Sequence, residues 1–166
     1  MPTISPFLWF DTQAEEAMTY YASIFERSRI TAVHRAQGRV LSVEFELEGQ
    51  PLMALNGGPH YTFTPAISLF VSCDTQSDID RLWERFIADG GVPNRCGWLN
   101  DKFGLSWQII PADLSSLLSG GGDAARAGRV WNAMMQMTKL DIAQLQQASN
   151  GHQDSVTSPS LQGAER

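Results

Sequence analysis

The chain has 166 residues, 43% of them hydrophobic and 18% charged, with a formal net charge of −6 at pH 7. This length and composition are those of one globular domain, and no apolar run approaches the roughly 20 residues of a membrane-spanning helix. Lys and Arg are scattered, so no basic run could follow a phosphate backbone, and we predict neither a nucleic-acid nor a membrane partner. Residues 1–11 contain neither a basic segment nor a small-residue cleavage site, which leads us to expect a cytoplasmic protein.

The first half of the chain predicts four strands and one helix. The strands are short apolar or alternating runs, and they cover residues 4–10, 29–36, 40–48 and 52–55. Thr12 and Glu15 have the spacing of a capping box, which predicts the start of a helix. That helix carries one apolar stripe, formed by Ala17, Tyr20, Tyr21, Ile24 and Phe25. The dipeptide Gln37-Gly38 predicts the turn between the second and third strands.

The same order of elements then recurs. The tripeptide Asp-Thr-Gln stands at residues 11–13 and again at 74–76, each time between an apolar run and a helical stripe. The second stripe repeats the spacing of the first, and it consists of Ile79, Leu82, Trp83, Phe86 and Ile87. The strands of this half are predicted at residues 66–73, 93–100 and 105–110. The repeat indicates two tandem modules.

The C-terminal third predicts helices and then a tail. Residues 123–148 have the pattern of one or two helices, and Asp141 is a candidate cap for the last of them. Trp131 falls on the apolar stripe of this region, so we expect it in the core. Residues 149–166 are rich in Ser, Gln and Gly, which is typical of a polar tail. We therefore predict a folded domain at residues 1–148 and a tail at residues 149–166.

Several short motifs resemble the PhnB-like family of the vicinal oxygen chelate superfamily, which includes glyoxalases, bleomycin resistance proteins and dioxygenases. The motifs are residues 7–10 ahead of residues 15–17 and Tyr21, residues 55–58, residues 97–108 and residues 139–142. The resemblance covers residues 4–148, and residues 97–108 are its most specific part. It implies an α+β fold of two tandem βαβββ modules, with curled mixed sheets, helices on their outer faces and a C-terminal helix. It also implies a homodimer whose sheets line a pocket for a small molecule.

Sequences of this family are often labelled 3-demethylubiquinone 3-methyltransferases. A methyltransferase of the common S-adenosylmethionine type needs a glycine-rich loop between a strand and a helix. Gly120-Gly-Gly122 precedes a predicted helix, but residues 114–119 before it do not have the pattern of a strand. We therefore do not expect methyl transfer.

The metal site of the superfamily has no ligands in this sequence. Members hold a divalent metal with His and Glu side chains from four strands. The resemblance places those ligands in residues 3–10, 52–58, 65–72 and 105–110. These windows contain no His, Asp, Glu or Cys, and Gln108 stands where the resemblance implies a glutamate. We therefore expect neither a metal nor another cofactor.

The candidate ligand-binding residues are mostly neutral side chains from segments predicted to line the sheets. They are Trp9, Asn56, His60, Ser68, Trp98, Asp101 and Gln108. Asp101 is the best acid candidate, although a turn-forming aspartate is the alternative, and His60 is either a pocket residue or an exposed loop residue. Alternate residues of a strand face opposite sides, so we expect Gln108 in the pocket and Trp107 beneath a helix.

Three functions are compatible with these patterns. The favoured one is a metal-free protein that binds or sequesters a small, partly apolar molecule. The second is a metal-independent enzyme of the same fold that uses Asp101 or His60 for proton transfer. The third is a structural or partner-binding protein. Cys73 and Cys96 lack the spacing of a zinc or redox motif, so we expect two reduced thiols.

Overall fold

The computed structural model describes residues 2–151, and the predicted tail beyond residue 151 lies outside the described residues. The first module consists of β1 (Phe7–Phe10), α1 (Ala14–Ile24), β2 (Arg29–Ala36), β3 (Arg39–Leu47) and β4 (Gln50–Asn56). The second consists of β5 (Ser68–Cys73), α2 (Gln76–Ala88), β6 (Val92–Pro93), β7 (Trp98–Asn100) and β8 (Ser106–Pro111). Three more helices follow, α3 (Leu114–Ser119), α4 (Ala124–Gln136) and α5 (Ile142–Asn150), with a 3-10 turn at Gly120–Gly122.

Each module forms one mixed four-stranded sheet. Sheet A has the order β1-β4-β3-β2, and sheet B has the equivalent order β5-β8-β7-β6. The first strand of each module pairs in parallel with the last, while the other pairs are antiparallel. Parallel pairing requires a long crossover, which α1 and α2 supply. The predicted α+β fold of two tandem βαβββ modules is confirmed.

The two modules share one hydrophobic core. Each sheet buries the face that its helix covers, so that Val43 and Phe45 of sheet A and Trp107 and Ile109 of sheet B are at most 2% exposed. The end of α1 reaches the second module, where the Phe25 ring stacks on Trp107 with the ring centroids 5.5 Å apart. The opposite face of sheet A is left open, whereas in sheet B the C-terminal helices cover one end of that face.

The start of α1 differs from the prediction. The helix begins at Ala14 with Gln13 in the cap position, so the capping box predicted at Thr12 and Glu15 is wrong. Asn56, at the end of β4, supplies the cap instead, because its Oδ1 accepts a hydrogen bond from the Ala14 N–H at 2.8 Å. In the second module the local cap does form, since Thr75 Oγ1 accepts from the Asp78 N–H at 3.1 Å.

We expect Asn56→Ala to lower the free energy of unfolding by about 1–2 kcal/mol, because the change removes a helix cap and a second hydrogen bond. That second bond runs from Asn56 Nδ2 to the Val40 carbonyl oxygen at 3.1 Å. Asn56→Asp keeps the oxygen that caps α1 but sets a second oxygen against the Val40 carbonyl, so it should restore only part of the lost stability. Urea denaturation measures both variants, and an alanine variant as stable as the parent would contradict the assignment.

The C-terminal helices form a second hydrophobic cluster against the end of β8. Its buried members are Ile110, Leu114, Val130, Met134, Leu140 and Leu145. Asp141 caps α5 as predicted, accepting from the Gln144 N–H at 2.9 Å. Trp131, however, is 53% exposed, so its predicted place in the core is wrong. Val130 and Met134 face the cluster, and Trp131 lies one residue, about 100°, further round the helix.

The last helix extends to Asn150, two residues past the domain boundary predicted at residue 148. Ser149 is 3% exposed, and its hydroxyl accepts a hydrogen bond from Arg126 Nε. None of the helices within residues 2–151 combines the length and the apolarity needed to cross a membrane.

Candidate functional site

The open face of sheet A is apolar along β1 and β4. Alternate residues of β1 and β4 point to this face, and the register pairs Phe7 with Met53 and Trp9 with Leu55. Phe7 is 53% exposed, and the other three are half-buried. Charged residues lie on the same face of β3 and β2, where Glu44 is opposite Met53 and Glu46 binds Arg29 at 3.0 Å.

The loop after β4 folds over Trp9. Trp9 Nε1 donates a hydrogen bond to the Gly58 carbonyl oxygen at 2.9 Å, and the Tyr61 ring meets the indole edge-on at 5.0 Å. A Cβ at Gly57 would overlap the indole, so this position requires glycine. The loop therefore fixes the orientation of Trp9, while His60 and Tyr61 stay exposed to solvent.

The open face of sheet B carries a glutamine between two aromatic residues. Gln108 on β8 is opposite Phe70 on β5 and opposite Trp98 on β7. Gln108 Nε2 donates a hydrogen bond to Ser68 Oγ at 2.8 Å. Phe70 is 61% exposed, whereas Gln108, Ser68 and Trp98 are half-buried. The structure thus brings three predicted site residues together here.

Trp107 faces the opposite side of sheet B, as the alternation predicts. Its side chain is 1% exposed and packs among Tyr21, Phe25 and Phe86. Gln108 is the neighbour that reaches the open face. No bulge is needed, because the pairing of β5 with β8 is continuous.

Asp101 lies in the core and not on an open face. It is 3% exposed, and its carboxylate accepts four hydrogen bonds. The donors are Tyr21 Oη (2.6 Å), Trp107 Nε1 (2.8 Å), the Phe103 N–H (2.9 Å) and the Leu105 N–H (3.0 Å). Burial raises the pKa of Asp101 above its usual value, and the four hydrogen bonds act against that rise. This geometry favours the structural alternative over an acid exposed to a ligand.

Two clefts lie at other places on the surface, and the second reaches the open face at Phe70. A groove of about 1070 Å³ separates the start of α1 from the β2–β3 hairpin, and Glu15, Tyr20 and Arg39 line it. A smaller cleft of about 510 Å³ runs between the modules along the free edge of β5. Both are open to solvent, and of the predicted site residues only Asn56 borders either one.

Within residues 2–151, no three His, Cys, Asp or Glu side chains lie close enough together to hold a metal ion. The glycine run at Gly120–Gly122 follows helix α3 and not a strand. The strand–loop–helix arrangement of the common methyltransferase fold is therefore not formed by this run.

Comparison with known proteins agrees with this architecture. The model of the family described as 3-demethylubiquinone-9 3-methyltransferase matches residues 2–110. The chain belongs to this family. Among solved structures, the PhnB protein of Bacillus cereus is 36% identical with a TM-score of 0.62, and the match covers 67% of this chain and 100% of that one. Protein PA1353 of Pseudomonas aeruginosa is 19% identical with a TM-score of 0.52, covering 64% and 95% of the two chains. No curated protein matches the chain.

The helices α3 to α5 lie beyond the family match of this PhnB-like chain. The cluster that they form contains Ile110, which shares a face of β8 with Ser106 and Gln108. The cluster also approaches Gly97, since a Cβ there would come within 3.1 Å of Leu140 Cδ1. The C-terminal helices therefore form a wall at one end of the open face of sheet B.

The predicted site residues fall into three groups in this PhnB-like fold. Trp9, Asn56 and His60 belong to sheet A and the loop after it, while Ser68, Trp98 and Gln108 share the open face of sheet B. Asp101 stands apart in the core. The sequence analysis missed the exposed aromatic residues Phe7 and Phe70. Phe70 pairs with Gln108, and Phe7 pairs with a residue of β4, the strand that carries Asn56.

Proposed function

We propose that this PhnB-like chain binds a small, largely apolar molecule without a divalent metal. The observation that carries the proposal is the chemistry of the open faces of four strands, the parallel pairs β1–β4 and β5–β8. Their side chains are aromatic, aliphatic or neutral polar, as in Trp9, Leu55, Ser68 and Gln108. Such walls, with a few polar groups among apolar ones, are typical of ligand sites.

We further propose that the binding unit is a homodimer. Phe7 and Phe70 are large apolar side chains exposed on the open faces, and β1 and β5 each lie at a free edge of their sheet. A second copy that sets sheet A against sheet B of its partner would cover both faces and both edges. Each pocket would then combine Trp9 from one copy with Gln108 from the other.

A cytoplasmic location is part of the proposal. Cys73 and Cys96 are free thiols within the described residues, which suits a reducing compartment. Burial raises the pKa of the Cys73 thiol to about 11, so this cysteine is a packing residue and not a nucleophile.

Catalysis has less support than binding. The Asp101 carboxylate already accepts four hydrogen bonds in the core, and His60 lies in an exposed loop. For either group to transfer a proton to a ligand on an open face, its side chain would have to move to that face. Binding alone requires no such movement.

Native mass spectrometry of the protein purified from its source tests the proposal. We expect a species of twice the 18.3 kDa chain mass that carries a small organic molecule and no stoichiometric metal. Phe70→Asp should shift the species toward monomer, because it places a charge in the interface. Trp131→Asp is the matched control, since Trp131 is an equally large exposed residue on α4. One tightly bound divalent ion per chain, or a monomer at micromolar concentration, would contradict the proposal.

A further inference from the structure

The hydrogen bond between Gln108 and Ser68 leaves one edge of the glutamine amide free. A primary amide has two N–H donors and one accepting oxygen. Gln108 uses one N–H to donate to Ser68 Oγ, with the nitrogen and oxygen 2.8 Å apart. Within residues 2–151 the Gln108 side chain makes no other hydrogen bond. When the N–H remote from the amide oxygen meets Ser68, the oxygen and the other N–H lie side by side at the free edge, and turning the amide over keeps such a pair there. The edge therefore offers one acceptor next to one donor.

Two aromatic side chains flank this edge. Phe70 and Trp98 are the register neighbours of Gln108 on the adjacent strands and point to the same face. Side chains at such positions lie about 5 Å apart at their Cβ atoms, within contact of one bound ring. Phe70, Gln108 and Trp98 thus form a row across three strands. Phe70 is 61% exposed, so the row presents an aromatic ring on each side of the polar amide edge.

The strand positions next to Phe70, Gln108 and Trp98 on this face are uncharged. The neighbouring positions on the same face are Ser72, Ser106, Asn100 and Ile110. Ser106 and Asn100 bind each other at 3.0 Å, and the C-terminal cluster covers Ile110. A charged ligand would lose its hydration here without meeting an opposite charge, which is costly. The face thus favours a neutral ligand.

Resting on the binding function proposed above, we infer the class of ligand. It is a neutral planar ring that carries a hydrogen-bond donor next to an acceptor, as on the edge of a cyclic amide. Gln108 pairs with that edge, and the ring contacts Phe70 and Trp98. A primary amide that pairs in this two-point manner discriminates between ligands, because an unmatched ligand covers the amide edge without giving it a partner.

Two nearly isosteric bicyclic probes test the inference. In 2-quinolone the ring N–H adjoins the carbonyl, whereas coumarin has a ring oxygen in place of that N–H. We expect 2-quinolone to bind the full chain about tenfold more tightly than coumarin, the value of one buried hydrogen bond. The 2-naphthoate anion should bind more weakly than 2-quinolone. Nuclear magnetic resonance titrations give the dissociation constants and report on the Gln108 side-chain amide directly.

Variants separate the role of the amide edge from ring packing. Gln108→Leu should abolish the difference between 2-quinolone and coumarin while coumarin still binds. Gln147→Leu, which changes an exposed glutamine on α5, should leave the difference intact. Both variants should unfold at nearly the same temperature as the parent, since Gln108 is only half-buried.

The outcomes distinguish this inference from the proposed function. Equal affinities for 2-quinolone and coumarin, or a difference that persists in Gln108→Leu, would overturn the paired-edge inference. If the signals of Phe70 and Trp98 still shift in that case, binding at the open face stands. If none of the three probes shifts any signal from either open face, the inference and the proposed binding function both fail.

Discussion

Replacing Trp107 with alanine is expected to lower the free energy of unfolding by about 3–5 kcal/mol. The indole is 1% exposed, and its ring centroid lies 4.9 Å from Phe86 and 5.5 Å from Phe25. These two partners come from different modules, so the cavity would open where the modules meet. Urea denaturation followed by circular dichroism measures the change.

Two further variants make the Trp107 result interpretable. Trp107→Phe should lower the free energy of unfolding by less than Trp107→Ala, because phenylalanine keeps most of the ring volume. Some stability is still lost, since the hydrogen bond from Nε1 to Asp101 is removed. Trp131→Ala removes an indole that is 53% exposed, and we expect a loss of less than about 1 kcal/mol. If Trp131→Ala proved the more destabilising change, the assignment of Trp107 to the core would be wrong.

The second large effect is expected for Asp101→Asn, at about 2–4 kcal/mol of lost stability. An asparagine can accept at only one of its two side-chain positions, so its NH₂ group would face two of the four donors. The Tyr21 hydroxyl and the Trp107 N–H both point at Oδ2, and two backbone N–H groups point at Oδ1. With the NH₂ group at the Oδ2 position, the Tyr21 hydroxyl can turn to accept from it, but the Trp107 N–H loses its acceptor; with the NH₂ group at the Oδ1 position, both backbone N–H groups lose theirs.

Asp113→Asn provides the matched control for Asp101. Asp113 is exposed and makes no side-chain cap hydrogen bond with α3, so its replacement should change stability by no more than about 0.5 kcal/mol. Thermal unfolding gives the comparison, because about 2–4 °C corresponds to 1 kcal/mol in a chain of this size. Equal midpoints for the two variants would show that the Asp101 network contributes little.

The Asp101 network joins the two modules. Tyr21 belongs to α1 of the first module, while the other three donors belong to the second. The pKa of the Tyr21 hydroxyl is raised well above its usual value by burial and by the adjacent Asp101 carboxylate, so this hydroxyl stays protonated as a donor. This contact joins the modules together with the packing of Phe25 on Trp107 and the hydrogen bond from Arg81 to the Ile24 carbonyl oxygen.

Local patterns determined the elements of the fold. The second helical stripe is buried as predicted, with Ile79 and Phe86 fully enclosed, and the turn at Gln37 and Gly38 joins β2 to β3. Helical and strand periodicities arise from backbone geometry, so a single sequence carries them. The repeat of these patterns, together with the motifs around Gly97–Gln108, was sufficient to predict the family that the comparison then established.

The tertiary structure decided which residues meet. Alternation along β8 separates Gln108 from Trp107, but it does not say that β5 is the neighbour that brings Ser68 and Phe70 beside Gln108. The cap of α1 comes from Asn56, 42 residues further along the chain, and so no local capping pattern could indicate it.

Asp101 is the clearest case of this limit. As part of a turn it looks like an exposed acid in the sequence, and in the structure it is a buried acceptor for a donor 80 residues away. The sequence by itself determined the two modules, their buried stripes and the family. The packing of α1 against the second module decided that Asp101 is enclosed, because burial and hydrogen bonding depend on contacts between segments distant in the chain.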